Sequence, residues 1–230
     1  MLTDKGLLHD VYWSLNCEII YYFLYPLILK LRKILNWPVM IGLAYVISGL
    51  IVYNGTPKAY MQDFGDYLNW IVWLPVWMMG CHLAEKPTFR KLSPTLLCLL
   101  RGGIWFLASF AVLLTWKFNI GIPRTLFLFS IPGYFWIQAE IGSFTATSLA
   151  KRLENLGIWS YSLYLTHPLI LWGAVQLMGQ RTMGIGFTLL VVIVVLLVAY
   201  VFYQLVEKPS VQLARFLSTR WTSRESGSLH

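Results

Sequence analysis

Apolar runs close to the length of a bilayer crossing recur along the chain, separated by short polar turns. A membrane-spanning helix needs about 20 largely apolar residues. Seven stretches approach that length: Trp13–Leu31, Trp37–Tyr53, Leu68–Ala84, Gly102–Phe118, Leu126–Ile141, Leu156–Met178 and Gly184–Val206. Several are short or rich in Trp and Tyr, so their ends are loosely defined. No repeat links them, and no loop is long enough to form a separate domain. The pattern predicts an all-α, polytopic membrane bundle of about seven spans over residues 1–209, followed by a basic tail over 210–230.

Composition agrees. Of 230 residues, 57% are hydrophobic and 12% charged, against about 25% charged in a soluble domain. The mean hydropathy is +0.62. A net charge of +8 would suit nucleic acid if it formed one basic face, but the cations alternate from turn to turn. Lys30, Arg32 and Lys33, then Lys86, Arg90, Lys91 and Arg101, then Lys151 and Arg152, then Lys208, Arg215, Arg220 and Arg224 all fall on one side. Only Lys5, Lys58, Lys117, Arg124 and Arg181 fall on the other. Basic residues gather in cytoplasmic loops, so the C-terminus is expected inside and the N-terminus outside. The opening residues MLTDKGLLHDVYWSL lack a charged head followed by an apolar core. Either a short tail crosses unaided or an odd number of spans precedes it.

Cys17, Cys81 and Cys98 have neither metal-type nor framework spacing and are expected to be small buried hydrophobes. No G-x-x-x-x-G-K-[ST], G-x-S-x-G, H-E-x-x-H or paired C-x-x-C is present. ATPase, hydrolase and zinc-peptidase chemistry therefore have no support, and no metal site is expected.

The polar residues inside the spans carry what chemistry there is. The first span opens VYWSLNCEIIYYFLYPLIL. Helical spacing puts Ser14, Glu18, Tyr21, Tyr22 and Tyr25 on one side, with Glu18 near the outer face. A carboxylate at that depth must face protein or water. The plainer alternative is an interfacial helix start inside an aromatic belt.

The sixth span contains SYSLYLTHPLIL. Ser160 and Tyr164 precede His167 at i−7 and i−3 and share its face, with Tyr161 about a turn and a half below. Pro168 removes a backbone N–H, which frees a carbonyl near Tyr164 and favours a cavity. His167 reads either as a structural imidazole beside an ordinary membrane kink or as a functional group. It is expected to face the bundle interior within reach of polar groups on another span, because an unpaired polar ring in hydrocarbon costs on the order of a few kcal/mol. Near the C-terminus, Glu207 and Lys208 are expected at the inner membrane edge, with Pro209 stopping the helix. Lys208 and Arg215 either meet the membrane surface or attract a phosphorylated ligand. His82 is expected at the inner boundary, Arg101 is expected to snorkel to the inner surface, and Glu140 is expected in or beside a turn.

Three segments stand in order: WSLNCEIIYYFLYPLIL from Trp13, LGIWSYSLYLTHPLIL from Leu156 and LVEKP from Leu205. Together they resemble the acyltransferase 3 family of bacterial membrane O-acyltransferases, in particular its exopolysaccharide and O-antigen branch. The resemblance covers essentially the whole chain. It implies transfer of an acyl group, usually acetyl, from cytoplasmic acyl-CoA to a hydroxyl of an extracytoplasmic saccharide or lipid-linked glycan. The setting would be the bacterial inner membrane, with the lipid bilayer as partner, no metal and no nucleic acid. His167 and Glu18 would be the catalytic candidates, and Trp13, Ser14, Ser160, Tyr161 and Tyr164 the substrate-binding ones. Family members usually have about ten spans and carry an R-x10-H motif whose histidine is taken as the base, followed by R-x-x-R. Neither occurs here. The chain looks like the last seven spans, and alone it is expected to transfer no acyl group.

Two other readings remain open. One is a non-enzymatic transport or binding protein in which Glu18 and His167 form a proton or ligand site. The other is an inactive truncated remnant. For the topology, reporter fusions at Thr88, Lys151 and the C-terminus are expected to read cytoplasmic, and those at Lys58 and Arg181 external. An external reading at Lys151 would defeat the seven-span arrangement.

Overall fold

A computed structural model describes residues 6–55, 64–85, 91–144, 157–178 and 184–216. Among them, all regular structure is helical. The helices are α1 (Gly6–Leu31), α2 (Trp37–Asn54), α3 (Gly65–Glu85), α4 (Pro94–Phe118), α5 (Ile122–Ser143), α6 (Ser160–Met178) and α7 (Ile185–Phe202), the last running into a π-turn at Tyr203–Glu207. Each predicted span has its helix. Three are long and apolar enough to cross a membrane: Trp37–Asn54, Pro94–Phe118 and the continuous helix Ile185–Phe216. The other four have comparable lengths of 19 to 26 residues, with polar and indole side chains diluting their apolar character.

Local chemistry sets the starts. Asn36 caps α2 by accepting from the Val39 N–H at 3.1 Å, with Pro38 in the first turn. Ser93 caps α4 by accepting from Leu96 at 3.4 Å, ahead of Pro94. A side-chain acceptor followed by proline satisfies one orphan donor and removes another. The α4 C-terminus closes on Asn119 in the left-handed region, φ 52°, its N–H returning to the Leu114 carbonyl.

The chain forms two compact units. The first holds α1 from Tyr12 onward and α2 to α5. Its core is Ile28, Trp37, Met40, Ala44 and Met78, flanked by Leu24, Leu74 and Trp77. Trp77 lies tilted against Tyr21 at 5.0 Å and meets Tyr25 edge-on at 5.9 Å. Pro75, fully buried in α3, offers no N–H to the Ile71 carbonyl, and its ring opens that turn. Side chains from neighbouring helices donate into the same turn. Tyr21 Oη reaches the Trp70 carbonyl at 2.7 Å, and the fully buried Ser48 Oγ reaches the Val72 carbonyl at 2.9 Å. Arg124, at the α5 start, donates to the carbonyls of Tyr53 and Gly55 at 3.5 and 3.4 Å. Gly55 is required there, since a Cβ would lie 2.6 Å from the Phe64 ring.

α4 packs on α5 and turns apolar side chains outward on most of its surface, including Trp105, Phe106, Leu113 and Trp116. Hydrocarbon is the solvent that tolerates such a surface. One expectation fails on this helix: Cys17 is buried and Cys81 half-buried, but Cys98 is exposed. A small apolar thiol is as much at home facing lipid as facing protein.

The second unit holds α6 and α7, which run antiparallel, Ser162 near the start of α6 meeting Glu207 past the end of α7. Ala174 and Ala199 are buried, and Trp159 meets Tyr200 edge-on at 6.5 Å. Pro209 does not stop the helix, contrary to expectation; helical structure continues to residue 216. The π-turn explains this. Lys208 N–H bonds back five residues to the Tyr203 carbonyl, and the wider turn accommodates a proline ring that would otherwise press on the carbonyl four residues earlier. Ser210 Oγ then takes the Val206 carbonyl at 2.7 Å.

Replacing Ser48 by Leu is expected to overfill the α2–α3 contact and destabilise the protein by about 1–3 kcal/mol. Ile47→Leu, at an exposed position of the same helix, should change little. Thermal unfolding in detergent checks the contrast, and equal effects would mean that the contact is not close-packed.

Candidate functional site

A groove of about 510 Å³ lies between α6 and α7, lined by Ser160, Leu163, Tyr164, His167 and Leu171 from one helix and Val191, Val192, Val195 and Leu196 from the other. The predicted face of Ser160, Tyr164 and His167 is thus one wall of a single cavity. Tyr161 does not line it and is 41% exposed. One residue's offset on a helix rotates a side chain by about 100°, out of the groove's reach.

His167 is half-buried, and its Nδ1 lies 3.0 Å from the Leu163 carbonyl. A carbonyl only accepts, so Nδ1 carries the proton and the lone pair of the neutral ring sits on Nε2. The ring of Tyr164 is 6.0 Å away. Within this helix pair the imidazole's polar contact is with its own backbone, and α7 offers only aliphatic side chains to the groove. The polar partner expected on another span is thus not supplied by the α7 wall of the groove. Pro168, the next residue, offers no N–H to the Tyr164 carbonyl, which loosens the turn that carries the imidazole. Thr166 Oγ1 uses the neighbouring carbonyl, Ser162, at 2.8 Å.

On another side of α6, the fully buried Ser162 donates its hydroxyl to the Glu207 carboxylate in the π-turn. Two segments forty-five residues apart, SYSLYLTHP and EKP, are therefore joined directly. Beyond them Gln204 donates to the Tyr200 hydroxyl at 3.0 Å, and Lys208 to Gln204 at 3.4 Å.

In the first unit, Tyr22 donates to the carboxylate of Glu18, one turn away on α1. Trp13 packs against Trp73 of α3, ring centroids 5.5 Å apart, and Ser14 is half-buried. Glu18 therefore has a local donor, and the aromatic residues predicted beside it hold α1 to α3.

Sequence reasoning missed a set of polar contacts at the opposite end of this unit. Glu85 accepts from Trp37 Nε1 at 2.9 Å and pairs with Arg32 at 2.6 Å, while the Arg32 guanidinium lies 5.9 Å from the Trp37 ring. Arg101 makes two hydrogen bonds to Glu140, at 2.6 and 2.8 Å, and Trp136 adds a third donor at 2.8 Å. The Arg101 head is thus paired, and Glu140 lies in the last turn of α5, as its expected place in or beside a turn allows. His82 Nδ1 lies 2.7 Å from the Tyr134 hydroxyl, its ring stacked between Trp37 and Tyr134. The i+4 spacing of Trp136 and Glu140 was readable; the pairings across helices had no sequence signal. Among the described residues no group of three His, Cys, Asp or Glu could hold a metal ion.

The profile of the acyltransferase 3 family, described as an acyltransferase domain, matches residues 4–204. The chain belongs to the acyltransferase 3 family. No curated protein and no solved structure matches it. An acyltransferase 3 domain built of apolar helices makes this a membrane acyltransferase in general terms. The match spans both helical units, so the groove and the Glu18 segment both lie within the acyltransferase domain.

The Arg101–Glu140 pair joins two helices of this domain, and Glu140→Leu would leave Arg101 without its carboxylate. A double-mutant cycle with Arg101→Leu is expected to give a favourable coupling, read by thermal unfolding, the double variant being more stable than Glu140→Leu alone. Additive effects would show that the pair contributes nothing.

Proposed function

We propose that the protein transfers an acyl group, acetyl in the first instance, from cytoplasmic acyl-CoA to a hydroxyl of an extracytoplasmic glycan in the bacterial inner membrane. Its seven helices would all cross the bilayer, with the N-terminus outside and the C-terminus inside, as the distribution of basic residues favours. The observation that carries the reading is the family match over residues 4–204. The groove supports it by presenting an imidazole with a fixed proton on one nitrogen and a lone pair on the other.

In this reading His167 lines the donor path, its Nδ1 proton held by the Leu163 carbonyl and Nε2 left for the acyl donor. The hydroxyls of Tyr164 and Ser160, in the same groove, would steady the oxyanion that develops on the acyl carbonyl. The acceptor's hydroxyl oxygen forms the new ester bond, the C–S bond of the thioester breaks, and the proton passes to the departing thiolate. In the other unit, Glu18, its carboxylate held by Tyr22, is a separate candidate that would accept a charge-assisted hydrogen bond from a saccharide hydroxyl. The groove's aliphatic walls fit an acyl thioester but hold no cation for the phosphates of coenzyme A. Among the described residues of this unit only Lys208 and Arg215, past the π-turn, could meet them.

The test measures free coenzyme A and glycan acylation in membranes of a host lacking such enzymes. The chain is expressed alone and together with a family member's first three spans. Transfer is expected in the second case. His167→Ala should reduce it by roughly 100-fold or more at equal protein level. Parallel loss of transfer and protein would make His167 structural, and no transfer in either case would remove the acyltransferase reading.

A further inference from the structure

We infer that Glu207 is a positioning residue for the groove, acting through Ser162 to fix the imidazole of His167. This rests on the acyltransferase reading for its effect on turnover, but not for its effect on the histidine. Ser162 is completely buried, and its hydroxyl is spent on the Glu207 carboxylate. Glu207 is half-buried, but the Ser162 hydroxyl has no water to fall back on, so this charge-assisted contact is directional.

The consequence runs along one turn of α6. The carbonyl of Ser162 accepts from Thr166, the carbonyl of Leu163 accepts from His167, and Pro168 leaves the next carbonyl, Tyr164, without its usual backbone donor. Side-chain bonds to carbonyls four residues back bend a helix, so this turn is soft on its own. The Ser162–Glu207 bond ties this turn to the π-turn that follows α7, and it fixes the turn's first residue.

The carboxylate is itself placed by the π-turn. One extra residue in Tyr203–Glu207 shifts every later side chain by about 100° around the helix axis relative to a regular α-helix. Without that turn Glu207 would lie on a different face of α7. The π-turn, Ser162 and Glu207 therefore act as one device that holds His167 with Nδ1 on its own backbone and Nε2 available.

The experiment uses the full chain, labelled with ¹⁵N-histidine, in membranes, with and without the accompanying three spans. The chain has four histidines, and the signal lost in His167→Ala identifies the one concerned. It is expected to show a single tautomer protonated at Nδ1. Glu207→Ala should convert it to a mixture of tautomers and lower kcat by roughly 10- to 100-fold with little change in KM. Ser162→Ala should do the same, and the double variant no more, since the two residues act in series. Glu207→Gln, which keeps an oxygen for Ser162 to donate to, should retain the tautomer and most of the turnover. A His167 signal unchanged in Glu207→Ala overturns the inference, whether or not turnover falls, as does a Glu207→Gln variant as impaired as Glu207→Ala. If no variant, nor the parent, transfers an acyl group, the enzymatic reading fails while the tautomer still decides this one.

Discussion

A backbone carbonyl in hydrocarbon has no water to turn to, and this constraint shapes the molecule more than any other. Helices satisfy it by default. Four of the seven helices nevertheless carry an internal proline, at Pro26, Pro75, Pro132 and Pro168, each removing a donor from the ladder. Beside two of them side chains donate to neighbouring carbonyls: Tyr21 and Ser48 to Trp70 and Val72 near Pro75, Thr166 and His167 to Ser162 and Leu163 near Pro168. In the first case the donors come from other helices and hold the bundle together. In the second they come from the same helix, and one of them is an imidazole.

The fold was largely legible because it is written in long-wavelength features: runs of apolar residues, turns of basic ones, and proline after a capping side chain. Seven stretches became seven helices, with ends shifted by a few residues. The grouping of Ser160, Tyr164 and His167 was legible for the same reason, since helical periodicity alone decides which side chains share a face. Tyr161, chosen for its neighbourhood in sequence, lies at another angle on the helix and does not line the groove. What periodicity cannot give is the partner across a gap. Nothing in the sequence pairs Glu85 with Arg32, Glu140 with Arg101 or Ser162 with Glu207, because those pairings depend on helix rotation and depth. Pro209 was read as a stop by a rule that assumes regular α-geometry; a π-turn changes the register and the rule no longer applies.

The polar contacts of the first unit share a grammar. A glutamate accepts from an indole N–H and from an arginine in both Trp37–Glu85–Arg32 and Trp136–Glu140–Arg101. Indole supplies a donor on a largely apolar body, and the guanidinium supplies a planar fork that matches a carboxylate. Together they let a charged group remain close to hydrocarbon with its lone pairs occupied. The carboxylates do not need to be placed in loops to be tolerated, which is why Glu140 can sit within α5.

The unbroken helix from Ile185 to Phe216 has 32 residues. At about 1.5 Å per residue that is a rod of about 48 Å, against a hydrocarbon layer of about 30 Å. Some 18 Å of it therefore has to stand clear of the layer or be taken up by tilt. A stiff mast of this kind differs from a loose tail. Its height is fixed, and a rotation of the buried portion swings the emergent tip through a defined arc. Lys208 and Arg215, carried on that tip, would report any movement of the groove-lining valines to whatever lies beyond the lipid headgroups.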